Sequence, residues 1–168
     1  MPEPKQAYRD LESIFRAGIE RVDPRALISA GLHLEGSKLK LKSESASLTL
    51  DLGQFGRILV LGAGKASAAM AAGLEQVLGD RIHEGVVVVK YGHTEELKRI
   101  RLIEAGHPVP DEQGVLGAEA VEALARRADE KTLVVNLISG GGSAILPAPF
   151  QGAGASGSLA LSLEDKRA

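Results

Sequence analysis

Arg57-Ile58-Leu59-Val60-Leu61-Gly62-Ala63-Gly64-Lys65-Ala66-Ser67 carries an unbroken apolar run straight into a glycine turn. A run with no polar alternation fits a parallel strand covered on both faces. The glycines then mark a tight turn into a helix, where backbone N–H groups are left free at a positive dipole end. The same grammar returns at Leu133-Val134-Val135-Asn136-Leu137-Ile138-Ser139-Gly140-Gly141-Gly142-Ser143-Ala144. Two such turns, one holding a lysine, point to phosphate chemistry.

Working outward, an amphipathic helix is expected over residues 7–20, from Tyr8, Leu11, Phe15, Gly18 and Ile19. Asp23-Pro24 reads as an N-cap with proline at the first helical position, opening a short helix through Ala30. Leu39–Leu41 and Leu48–Leu52 read as two short strands, a hairpin. Ile58–Leu61, Val86–Val89 and Leu133–Ile138 read as buried strands, and Ile100–Glu104 as a further one. Helices are expected over 65–78, which is rich in small residues, and over 112–128. The order β-α-β-(α)-β-α-β predicts an α/β fold: a mostly parallel sheet with helices on both faces and right-handed crossovers. Ligands of such sheets bind at the carboxyl ends of the strands, where both glycine turns fall.

The composition narrows the function. The 168 residues suffice for one domain, and 44% are apolar, which argues against disorder. The aromatic residues are Tyr8, Phe15, Phe55, Tyr91 and Phe150, so the core must be aliphatic. A net charge of −2 with interspersed signs shows no basic face for nucleic acid. The absence of cysteine excludes disulfides and thiolate chemistry. With no signal-peptide pattern at the start and no membrane-length apolar run, a cytoplasmic protein is expected.

Gly62-Ala63-Gly64-Lys65 is not a Walker A loop, since a single residue separates the glycines. It fits the dinucleotide fingerprint in part, but Ser67 stands at the third glycine position. Lys90 ends the second strand, where a nicotinamide site wants an acid. Lys65 faces the positive end of its own helix, a cost of a few tenths of a kcal/mol that a bound phosphate would reverse; the alternative is a lysine turned into water. In Ser139-Gly140-Gly141-Gly142-Ser143 one glycine suffices for a turn, whereas three suit close approach of backbone to a ligand. Ser139 is a candidate donor to a phosphate oxygen, Ser143 a candidate cap of the next helix. In Gly106-His107-Pro108-Val109-Pro110-Asp111, Asp111 is a helix N-cap or a catalytic acid, and His107 a substrate contact or a partner of a loop carbonyl. His33 and His93 lack companions at metal-ligand spacing, so no protein-built metal site is expected.

On these motifs the chain resembles the N-terminal part of the class II glycerate kinases, whose C-terminal half carries the MOFRL domain. The similar segments are Val60–Ala66, Ala105–Asp111 and Ile138–Ala144, with a weaker match at Leu163–Lys166. The resemblance implies a Rossmann-like domain facing a second domain across a cleft, and ATP-dependent phosphorylation of D-glycerate at its 2-hydroxyl, with Mg2+. Lys65 matches the family's proposed catalytic lysine. Gly62, Gly64, Ser139, Gly140, Gly141, Gly142 and Ser143 would cradle phosphate or substrate, and His107 and Asp111 would line the cleft.

The resemblance further implies a Rossmann-like domain over 1–150; over 151–168 the residues themselves read as a small-residue linker (Gln151–Ser158) and a helix start at Ser162–Lys166. The family's second domain, with its active-site arginine, has no counterpart in these residues, and Phe150–Leu161 is longer than the family's link. The expectation is a fragment with half of the cleft. Two other readings remain open: a dinucleotide-binding module, and a non-catalytic fragment that needs a partner chain.

Overall fold

The computed structural model describes residues 4–43, 45–149 and 162–167. The expected linker Gln151–Ser158 lies outside them. Two helices open the chain, α1 (Pro4–Arg21) and α2 (Pro24–Gly31). Asp23 caps α2, its carboxylate accepting the Ala26 N–H at 2.7 Å. Three antiparallel strands follow in the order β1 (Leu32–Glu35), β2 (Lys38–Lys42), β3 (Ser47–Asp51). The expected hairpin is there, with Leu41 opposite Leu48. Strand β1 was not foreseen, although Leu32-His33-Leu34-Glu35 alternates in burial and turns at Gly36.

The main sheet is parallel, in the order β6 (Ile100–Ala105), β5 (Glu84–Lys90), β4 (Arg57–Ala63), β7 (Thr132–Ile138). The chain moves outward from β4 to β5 and β6, then returns across the sheet to place β7 on the other side of β4. Helix α3 (Ser67–Leu78) joins β4 to β5, and α4 (Glu112–Ala125) joins β6 to β7. They cover opposite faces, as crossovers of one hand demand when the direction of travel reverses.

Residue alternation sorts the core. Ile58, Val60, Val87, Val89 and Leu137 meet Ala68, Ala71, Leu74 and Leu78 of α3, with Leu39 of the small sheet. Leu59, Leu61 and Val86 meet Leu124 of α4 on the opposite face. Each leucine, isoleucine or valine among them, taken from water, contributes about 1.5–3 kcal/mol.

Three expectations need correction. The helix allowed between β5 and β6 is absent: Tyr91–Arg99 is irregular and is held by α3, whose Glu75 carboxylate accepts the N–H groups of Lys98, Arg99 and Ile100. The helix expected to reach residue 128 ends at Ala125, after which Arg127 and Ala128 bond three residues back. Strand β7 is not fully buried. As an edge strand it leaves Asn136 exposed and Ile138 63% exposed.

Candidate active site at the switch point

Strand order reverses between β4 and β7, and in open α/β sheets the crevice at such a point, at the carboxyl ends, is the ligand site. Both glycine turns open there. Backbone bonds join them: the Ser139 N–H donates to Ala63 O (3.1 Å) and the Lys65 N–H to Gly140 O (3.0 Å). Gly64, at φ +135°, needs to be glycine twice over, because a Cβ there would also fall 2.6 Å from Ser139 O. Gly62 is buried in β4, where a Cβ would meet Leu137 O at 2.6 Å.

The turn delays helix α3 to Ser67, two residues later than expected. Lys65 is exposed, and no hydrogen bond or ion pair ties its ammonium among the described residues. Its side chain lies along the glycine loop: Cγ sits 3.4 Å from where a Cβ on Gly141 would stand, and Cε 4.0 Å from one on Gly140. His107 closes the other side, its Cδ2 2.8 Å from that same Gly141 position. Gly141 itself is left-handed, at φ +91°.

The N–H groups of Gly140, Gly141, Gly142 and Ser143 donate to no acceptor among the described residues. Successive free N–H groups around a left-handed glycine form a concavity that suits an anion. Ser143 does not cap the short helix α5 (Gly142–Ile145). It lies inside it, exposed, and Gly141 holds the cap position with no side-chain bond. The Ser139 hydroxyl is already engaged, accepting the Ala66 N–H at 3.0 Å and bonding Ser67 Oγ at 3.1 Å.

Asp111 takes the capping role. Its Oδ1 accepts the Gly114 N–H at 2.9 Å, and its Oδ2 accepts the Tyr91 hydroxyl at 2.8 Å. Burial works against its charge most strongly. The amides of Gly106 and Gly114, the Tyr91 hydroxyl and the Arg167 charge outweigh that and hold the carboxyl below its usual range. Arg167, in helix α6 (Leu163–Arg167), bonds Pro110 O and Glu112 beside it.

Sequence reading missed Ser67 and Tyr91. A serine opening a helix and a tyrosine after a strand carry no local sign of partners 72 and 20 residues away.

Lysine, imidazole and a row of free amides are gathered where strand order reverses in an α/β sheet, an arrangement of the kind that suits an anion. The chain belongs to the family described as a domain of unknown function, DUF4147, which matches residues 10–166. It is 37% identical over 147 residues to a glycerate 2-kinase of Pyrococcus horikoshii, covering 88% of this chain and 30% of that protein. It is 48% identical over 113 residues to an Agrobacterium vitis protein provisionally named hydroxypyruvate reductase, covering 67% of this chain and 27% of that one. The crystal structure of the glycerate kinase of Thermotoga maritima superposes with a TM-score of 0.72 at 31% identity, over 96% of this chain and 33% of that one. The chain thus spans about 30% of the length of the curated relatives it matches, at their N-terminal part.

Proposed function

We propose that the chain supplies the N-terminal face of a glycerate 2-kinase site. The observation that carries this is the row of free N–H groups from Gly140 to Ser143, flanked by Lys65 and His107. In the reaction, the 2-hydroxyl oxygen of D-glycerate bonds to the γ-phosphorus of ATP. The bond from that phosphorus to the ADP oxygen breaks, and the hydroxyl proton is released. Phosphoryl transfer asks chiefly for positioning and for positive charge on the equatorial oxygens. The glycine loop offers the first, with amides fixed before the substrate arrives. Lys65 offers the second as a mobile point charge, and His107 walls the loop.

ATP and glycerate are the small-molecule partners on this reading, and a cytoplasmic setting goes with it. No helix among the described residues is long and apolar enough to cross a membrane. No group of three His, Asp or Glu among the described residues could hold an ion of its own; magnesium on this reading would come with the phosphates of ATP, which ask for one or two protein carboxylates.

The test is ADP release from ATP with D-glycerate and magnesium, for this chain and for Lys65→Ala. The Lys65→Ala variant is expected to lose turnover by at least about a hundredfold, the scale of removing one electrostatic stabiliser. Equal turnover in the two removes Lys65 from the mechanism. A folded wild type without turnover means that the site needs the rest of a glycerate kinase.

The Agrobacterium relative's name favours a second reading, a nicotinamide-dependent reductase. Two observations oppose it: Lys90 ends β5 where ribose recognition wants an acid, and Ser67 stands buried at the third glycine position. Titration with NADH, followed by its fluorescence, separates the two.

A further inference from the structure

Ser67 is fully buried, and a buried hydroxyl must be bonded. Its Oγ lies 3.0 Å from Leu137 O, a pure acceptor, so the single Ser67 proton goes there. The 3.1 Å contact between Ser67 Oγ and Ser139 Oγ then has one direction left: Ser139 donates and Ser67 accepts. Ser139 in turn accepts the Ala66 N–H at 3.0 Å. The hydroxyl proton of Ser139 is thereby spent inside the protein.

We propose that Ser139 and Ser67 act as a pair of positioning residues, sewing the β7 loop to the start of α3 so that Lys65 is held at the glycine loop. This rests on the phosphate reading of that loop. Lys65 sits at an end of α3 that repels its charge, and the backbone on both sides of it is tied to the β7 loop: Ala63 O to Ser139 N, Lys65 N to Gly140 O, Ala66 N to Ser139 Oγ. The first two ties are backbone and survive any substitution. The third depends on the serine pair, and it is the one that satisfies the amide directly after Lys65. In this arrangement the first serine of the Ser-Gly-Gly-Gly-Ser motif holds the lysine, and the amides of the loop hold the anion.

The test uses the 168-residue chain, inorganic pyrophosphate as probe and backbone amide NMR as readout. Affinity comes from the shifts of Gly140–Ser143, and hydrogen exchange at the Ala66 amide is followed without anion. Ser139→Ala is expected to quicken Ala66 exchange and to weaken pyrophosphate binding about tenfold, the scale of one lost helix-end hydrogen bond. Ser67→Ala leaves every atom of the loop in place, and it keeps the pair testable if Ser139→Ala fails to fold. It removes the acceptor that fixes the Ser139 rotamer, so it should shift both readouts the same way by a smaller factor. In the Lys65→Ala background both serine effects on affinity should vanish, because the pair acts through Lys65. If Ser67→Ala binds pyrophosphate as wild type does, or more tightly, Ser139 is instead a direct donor to the anion and the proposal falls. Serine effects that persist undiminished without Lys65 also overturn it. A wild-type chain that shows no shift at Gly140–Ser143 overturns the phosphate reading itself, and the pair's role with it.

Discussion

At Asp111 one carboxylate serves two hydrogen-bond partners: the Gly114 amide of α4 and the Tyr91 hydroxyl. Its folded pKa is depressed, so its contribution is present above the unfolded value and is lost as pH falls through the folded one. Asp111→Ala should therefore cost about 1 kcal/mol at pH 7, mainly from the lost helix cap, since the exposed Tyr91 hydroxyl can turn to water. The gap to wild type should close as pH falls below the ordinary value of 3.8, because the wild type then loses the same carboxylate. Urea midpoints at pH 7 and pH 3 check this, and a gap unchanged at pH 3 would show that the charge of Asp111 contributes nothing. That the lysine turn and the three-glycine turn both fall at the carboxyl ends of adjacent strands was legible, since strand-to-turn grammar is local. The occupied hydroxyls of Ser139 and Ser67 were not, because a hydrogen bond across 72 positions leaves no mark in either segment.

Among the elements, the buried strands were plain. Runs such as Val86–Val89 have no polar residue to place in water, and Ile58–Leu61 sits paired on both sides. Strand β1 escaped because it follows α2 with no intervening turn. The missing helix at Tyr91–Arg99 escaped because Glu75, which organises that segment, lies on another element. Helix α1 was read as amphipathic, and its apolar stripe is exposed: Tyr8 79%, Leu11 65% and Phe15 68%. A side chain that buries little stabilises little, so Phe15→Ser should change the stability of this chain by less than about 0.5 kcal/mol. Thermal unfolding measures it. A loss of 2 kcal/mol or more would mean that the stripe is covered in solution.

For the molecule as a whole, stability should concentrate where strands are paired on both sides and buried through. Those are β4 and β5; β7 and β6 are edges, and α1 stands largely in solvent. Native-state hydrogen exchange should rank the amides of β4 and β5 slowest and those of α1 fastest. Protection of α1 equal to that of β4 would refute this distribution. The return of the chain to β4 has a consequence for synthesis. A ribosome that has released everything through α4 has made β4, β5 and β6, yet one edge of β4 still lacks its hydrogen-bonding neighbour. The strand that arrives last to fill that edge, β7, is also the strand that delivers Ser139 and the glycines. The nascent protein therefore cannot bring its two glycine turns together before its sheet is closed, and the event that hides the sticky edge is the same event that joins them.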